Sequence, residues 1–206
     1  MNPYVLSIVL ILLLGAVIFY LGLKNKLLSA FSIQELVNIA LFCSLLYVSI
    51  LPFKLGLGRI PFINSFLFSI PFTATLFIGI RIVPKLGTVT LIIFGQSLLS
   101  QVTFSGVNPL WWPYALLASF MLEAYFLITG NYLNTLINAM GAGCLRGLVV
   151  NLYFFLFSAP YLWHKFYAPW YVFVKTSEGI IGSCIGAVVG FYLSKPVIKA
   201  YLHGGV

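Results

Sequence analysis

Long apolar runs limit the fold of this chain more than any other feature of its sequence. A helix crosses a bilayer with about 20 mostly apolar residues, and seven runs of roughly that length follow one another here. Of the 206 residues, 62% are hydrophobic and 7% are charged, whereas soluble domains carry about a quarter charged residues. The sequence predicts an all-α polytopic transmembrane helix bundle with spans at residues 4–23, 36–53, 60–83, 86–104, 111–129, 135–162 and 171–194.

The first run is predicted to be a retained transmembrane helix outside a six-helix core. No Lys or Arg precedes it, and it is longer than the apolar part of a signal peptide. After it, Ser32 and Glu35 are spaced as in a capping box, which predicts the start of a new helix. Residues 1–30 therefore form the extra helix. Residues 31–206 form a membrane core with an outward-facing binding pocket.

Positive charges at the span ends predict the orientation of the chain. Cytoplasmic loops carry an excess of Lys and Arg. With seven spans, six such residues fall on one side and three on the other. The amino terminus is then outside and the carboxyl terminus cytoplasmic, in a protein integral to the cell membrane. The larger group is Lys24, Lys26, Arg81, Lys85, Lys195 and Lys199; the smaller is Lys54, Arg59 and Lys165.

Several function classes lack support in the sequence. The net charge is +8, but its basic residues are spread over span ends and form no patch suited to nucleic acid. No phosphate-binding loop is present, so transport powered by this chain's own ATP hydrolysis is excluded. No arrangement of nucleophile and base indicates an enzyme, and no spacing indicates a metal site. We expect a non-catalytic protein without a cofactor or metal.

The last span combines close packing with charge. Gly182, Gly186 and Gly190 recur every fourth residue, a pattern that lets two helix backbones approach closely. Glu178 lies one turn before Gly182, and Lys175 is close to the same face. Glu178 is thus expected to point into the bundle and to meet a ligand. The alternative is a structural Lys175–Glu178 pair that neutralises itself.

Two further charged residues lie deep in consecutive spans. Ionisable side chains at membrane depth are costly and often functional. Glu123 and Arg146 are predicted either to form an ion pair between their helices or to leave Glu123 facing a ligand cation. Asn151, Gln101 and Asn108 are candidates for neutral hydrogen bonds to the same ligand.

All four tryptophans are predicted at the outer surface. Trp111, Trp112, Trp163 and Trp170 follow or precede the outward segments. An aromatic belt at the lipid headgroups explains any one of them, but a belt is usually two-sided, so an aromatic-walled pocket is the alternative. His164 beside Trp163 is either an interfacial residue or a ligand contact.

Several segments before and within the core helices form a recognisable set together with the glycine-rich last helix. They are residues 33–36, Ala40 with Ser44, residues 105–109 and residues 122–124. On these segments, the sequence from residue 33 to residue 200 resembles the substrate-capture (S) component of energy-coupling-factor (ECF) vitamin transporters. The nearest branch is the one associated with thiamine or its hydroxymethylpyrimidine precursor.

The resemblance implies a receptor for a small vitamin-like nutrient within a larger importer. Its partners would be a transmembrane coupling subunit and two cytoplasmic ATPases. The coupling subunit would dock on the first core helix at Ala40 and Ser44, where Ser replaces the usual second Ala. The expected substrate-binding residues are Glu178, Lys175, Glu123, Asn151, Trp112, Trp163, His164, Trp170, Gln101 and Asn108.

Two other functions are compatible with the same pattern. A structural or assembly subunit of a larger membrane complex would suit the long first helix and the sparse polar residues. It would copurify with a stable complex that lacks ATPases and would have no outward cavity. A membrane enzyme acting on a lipid has the least support, because no catalytic arrangement can be identified.

Overall fold

The structure is a computed structural model that describes residues 3–56, 64–104 and 106–203, apart from the side chains of residues 54 and 201–203. All regular elements within these ranges are helical. Successive long helices run antiparallel through short connections. The helices are α1 Pro3–Lys24, α2 Ile33–Leu55, α3 Asn64–Ile82, α4 Thr88–Phe104, α5 Trp112–Thr129, α6 Leu136–Tyr153, α7 Ala159–Trp163 and α8 Pro169–His203.

The chain is an integral membrane protein, and its predicted all-α transmembrane fold is confirmed. Six helical segments in the described ranges are long and apolar enough to cross a membrane. α4 is apolar and, at 17 residues, is near the lower limit for a span. One end of the bundle contains the four tryptophans and is named the tryptophan end. The other is named the basic end and contains Lys24, Lys26, Arg81, Lys85, Lys195 and Lys199.

Two predicted spans differ in detail from the observed helices. The third was predicted to begin at Ile60, which lies outside the described residues. The sixth was predicted as one continuous helix, but a single π-helical turn at Phe154–Ser158 separates α6 from α7. Pro160 lies in the first turn of α7 and has no N–H group to donate to the preceding turn. Such π turns frequently occur at functional sites.

Close backbone packing places α8 between α3 and α6. A Cβ atom added to Gly186 would lie 2.5 Å from the carbonyl oxygen of Ile70 in α3. Gly182 and Gly190 meet α3 carbonyls one turn earlier and one turn later. On the other side of α8, Gly147 of α6 is equally close to the α8 backbone. The predicted close packing of the glycine face is confirmed.

α1 packs along α5 and is fastened at the tryptophan end. The Tyr4 hydroxyl donates to the carbonyl of Leu110, and the hydroxyls of Ser7 and Tyr153 lie 3.1 Å apart. Further along α1, Gly15 packs directly against the ring of Phe120. α1 is thus joined to the core near the tryptophan end by polar contacts as well as apolar ones.

α2 begins with the predicted capping box. Glu35 N donates to Ser32 Oγ at 3.2 Å, and Ser32 N donates to Glu35 Oε2 at 2.7 Å. Glu35 also forms an ion pair with Lys85, whose Nζ lies 2.7 Å from Glu35 Oε2. Ala40 and Ser44 are both exposed on the outer face of this helix.

Candidate functional site

Two adjoining cavities lie between the helices at the tryptophan end. The larger, about 540 Å³, is named the main chamber and is lined by side chains of α2 to α6 together with Trp111 and Trp163. The smaller, about 320 Å³, is named the side chamber and is lined by α3, α5, α6 and α8. Five residues line both chambers: Phe68, Tyr114, Arg146, Val150 and Phe154.

One wall of the main chamber is a polar row on α4. Gln96, Ser97, Ser100 and Gln101 all contribute to its lining. Residues four apart share a helix face, so these four side chains form one continuous strip. Gln101 also accepts a hydrogen bond from the backbone N–H of Asn108 at 2.9 Å, which holds the loop at the rim.

The mouth of the main chamber is aromatic. The rings of Trp111 and Trp163 are tilted against each other with centroids 4.9 Å apart. Trp163 also packs edge-on against Phe154 at 5.4 Å, in the π-helical turn. Trp163 is 45% exposed, so it forms the solvent side of the mouth. Rings in this arrangement offer faces on which a planar ligand can stack.

The side chamber contains an ion pair held in a polar network. Lys175 is 3% exposed. Its Nζ lies 2.8 Å from Glu178 Oε2 and donates to Asn64 Oδ1 at 3.2 Å. Asn151, also in the lining, donates to the carbonyl of Gly147 at 2.7 Å. The structural pair considered for Lys175 and Glu178 is therefore formed, while Glu178 itself does not line either chamber.

Arg146 lies where the two chambers meet. It is 4% exposed, and its Nη1 donates to Thr73 Oγ1 at 3.1 Å and Ser183 Oγ at 2.9 Å. Its guanidinium carbon is 4.1 Å from the centre of the Phe72 ring, which gives a cation–π contact. Hydroxyls on both neighbouring helices and an aromatic ring thus fix the orientation of this side chain.

Glu123 caps α4 from the neighbouring helix. Its Oε1 accepts hydrogen bonds from the backbone N–H groups of Gly87 and Val89 at 3.0 Å and of Thr90 at 3.3 Å. The first N–H groups of a helix have no partner within it, and the helix dipole favours negative charge there. Glu123 is 1% exposed and serves this helix end near the basic end of the bundle.

The predicted ion pair between Glu123 and Arg146 is wrong. Among the described residues, the ion pairs are those of Glu35 with Lys85 and of Glu178 with Lys175. Glu123 does not line either chamber. The physical reason is that the open amides of α4 compete for the carboxylate.

Some of the other predicted site residues line the chambers and some do not. Gln101, Asn151, Lys175 and Trp163 line the chambers. Four others lie outside both linings. Asn108 caps the short helical turn Pro109–Trp111, and His164 ends α7 with φ 53°. Trp112 packs edge-on against Phe94, and Trp170 packs edge-on against Tyr171.

Several lining residues were not predicted as ligand contacts. They are Gln96, Ser97 and Ser100 on α4, and Arg146. Trp111, also in the lining, was considered only as part of an aromatic pocket wall. The four polar residues of α4 at positions 96, 97, 100 and 101 are a sequence signal, because two pairs spaced by four in an apolar span indicate a polar face. Arg146 was predicted only as the partner of Glu123.

A solved structure shares this arrangement of helices. It is described as the crystal structure of an S-component of ECF transporter, and it superimposes with a TM-score of 0.64 and 20% sequence identity. The match covers 86% of this chain and 88% of that chain. The chain has the fold of an ECF S component. No protein-family model matches the sequence, and no curated protein is significantly similar to it.

Proposed function

We propose that this chain is the substrate-capture subunit of an ECF-type importer and binds a small water-soluble nutrient in the main and side chambers. The observation that carries the proposal is a cavity with an aromatic mouth and a polar interior at one end of a bundle with the S-component fold. A volume of about 540 Å³ is within the usual range for small-molecule sites. A purely structural subunit has no need of such a cavity.

The proposed ligand stacks at the mouth and donates or accepts hydrogen bonds further in. Trp111 and Trp163 would hold a planar ring. Gln96 and Gln101 would bind its polar groups in the main chamber, and Asn151 and Lys175 would do so in the side chamber. The sequence resemblance suggests a vitamin, with thiamine and its pyrimidine precursor as specific candidates.

The proposed orientation places the tryptophan end outside the cell and the basic end in the cytoplasm. Six Lys and Arg residues at the basic end support it through the positive-inside rule. The chain would bind the nutrient while two partner ATPases supply the energy. A transmembrane coupling subunit would dock on α2, where Ala40 and Ser44 are exposed and small enough to allow close helix contact.

We expect the purified protein to bind at least one member of a vitamin panel saturably, and Trp163→Ala to weaken that binding about tenfold. The variant removes one stacking face from the mouth. Isothermal titration measures the affinity, and a thermal-shift screen identifies the ligand, since a ligand at a hundredfold excess over Kd stabilises by about 2.7 kcal/mol. Thiamine and hydroxymethylpyrimidine belong in the panel.

The matched control is Phe166→Ala, which removes an aromatic side chain that is 83% exposed and lies outside both chambers. It should bind like the wild type. Absence of saturable binding across the panel, or equal losses in both variants, would contradict the capture function.

A second variant tests the proposed docking face. We expect Ser44→Phe to abolish copurification with the coupling subunit and ATPases while leaving ligand affinity unchanged. The bulky ring would keep a partner helix from approaching α2 closely. Leu12→Phe, at an α1 position that is 58% exposed, is the control and should retain the complex. Recovery of a stable complex without ATPases would instead favour an assembly subunit.

A further inference from the structure

Among the described residues, no carboxylate pairs with Arg146, a buried cation in the lining of both chambers. The chain has three acidic residues, all within the described ranges. Glu35 pairs with Lys85 and Glu178 with Lys175, each at under 3 Å, and Glu123 is used by the backbone of α4. Buried charges in proteins are normally paired. Within the part of the chain that the structure describes, Arg146 therefore has no counter-charge.

The guanidinium of Arg146 also has donors to spare. A guanidinium carries five N–H groups, and in Arg146 only Nη1 has acceptors among the described residues, Thr73 and Ser183. Nε and Nη2 have none there, while the side chain lines both chambers. The contact with Phe72 holds the guanidinium plane in place. The result is an oriented donor group facing a cavity.

The charges around the chambers leave a net positive site. Lys175 and Glu178 neutralise each other across 2.8 Å, so the charge of Arg146 remains. A guanidinium matches a carboxylate through two parallel hydrogen bonds. Such a bond is strong in a poorly solvated setting, because charge interactions strengthen as the local dielectric falls.

We propose that Arg146 binds the carboxylate of the transported nutrient, which is a small monoanionic organic acid with a planar or apolar portion directed toward Trp111 and Trp163. This assignment rests on the proposed capture function and narrows its substrate class. A single unpaired positive charge matches a monoanion better than a phosphate dianion. A cationic ligand would instead bring like charge toward Arg146, so this assignment narrows the candidates of the proposed function to acidic nutrients and excludes thiamine.

Four ring compounds of similar size test the charge preference directly. Benzoate is the anion, benzamide its neutral isostere, benzamidine its cationic isostere, and phenyl phosphate the competing oxyanion. We expect benzoate to bind at least about tenfold more tightly than benzamide, and benzamidine not to bind at concentrations up to about 10 mM. Isothermal titration of the purified full chain in detergent measures all four.

The variant that should remove the preference is Arg146→Met, which keeps the length of the side chain without its charge. Benzoate and benzamide should then bind equally. Arg81→Met is the matched control, since Arg81 also donates to a serine hydroxyl and lies over a phenylalanine ring, those of Ser194 and Phe191, but lines neither chamber. The control should retain the full preference for benzoate.

Arg146→Lys provides a second variant if Arg146→Met does not accumulate. It keeps the charge without the two parallel hydrogen bonds, so it should retain a weaker preference for benzoate. A merely structural arginine would leave the acid-to-amide ratio unchanged in both variants.

The binding results separate the carboxylate assignment from the capture function. The carboxylate assignment is overturned if benzamide or benzamidine equals benzoate, if phenyl phosphate binds more tightly than benzoate, if benzoate does not bind, or if the preference survives Arg146→Met. Saturable binding of a vitamin without any acid preference would leave the capture function standing and remove only this assignment. Failure of the vitamin panel and the ring series together would remove both.

Discussion

Replacing Gly186 by leucine is expected to unfold or severely destabilise the bundle. A Cβ atom at this position would lie 2.5 Å from the backbone carbonyl oxygen of Ile70, and that oxygen can only move if α3 moves with it. Overpacking usually costs about 1–3 kcal/mol, and here four added carbon atoms must separate two backbones, so we expect about 3 kcal/mol or more. For a chain of this size, that corresponds to a fall of about 10 °C in midpoint.

The measurement is the fraction of monodisperse protein that remains after heating in detergent. Ile185→Leu is the control, because Ile185 is the preceding residue but is 41% exposed on the outer face of α8. Its midpoint should stay within a degree or two of the wild type. A Gly186→Leu midpoint equal to that of the control would show that α3 and α8 do not meet along the glycine face.

Replacing Glu123 by alanine is expected to lower stability strongly without affecting ligand affinity. The substitution leaves the N–H groups of Gly87, Val89 and Thr90 without their acceptor in an apolar setting. Each unsatisfied buried donor costs about 1–3 kcal/mol, and partial relaxation of the helix end would still leave a loss of at least about 3 kcal/mol. The midpoint after heating measures the loss, and titration of the panel ligand measures affinity.

Two variants separate this cap from other carboxylate effects. Glu123→Gln keeps an acceptor oxygen at the same place and should lose much less stability than Glu123→Ala. Glu35→Ala removes a carboxylate from the more exposed start of α2, where water can replace it, and should cost only about 1 kcal/mol. A large drop in ligand affinity with unchanged stability for Glu123→Ala would contradict the capping role.

The glycine face was predictable because its cause is local. Three glycines one turn apart share one helix face and indicate that another backbone approaches that face closely. The identity of the partner helix was not predictable, since nothing in the spacing of Gly182, Gly186 and Gly190 distinguishes α3 from α6. α8 in fact packs closely on both, and the second contact comes from glycines on α6.

The sequence predicted that Glu123 and Arg146 lie deep in their spans, but it did not predict which groups they bind. Helical rise places Glu123 and Arg146 inside consecutive spans but not quite level with each other, and it does not say which way each side chain faces across the bundle. The N–H groups at the start of a helix also compete for a carboxylate. They are backbone groups, so no residue type in the sequence reveals them. The tryptophans indicated the end of the bundle that contains the cavity. The π-helical turn beside Trp163 could not be predicted, because it is a change in backbone hydrogen bonding.

The contact of α1 with the rim affects how the protein should be handled and labelled. Its amino end, bonded through Tyr4 to Leu110, is at the same end of the bundle as the cavity mouth. α8 begins at that end and, at 35 residues, runs about 53 Å to finish at the basic end. A bulky fusion at the amino end of α1 would crowd the opening of the main chamber. Purification handles and fluorescent reporters therefore belong after α8.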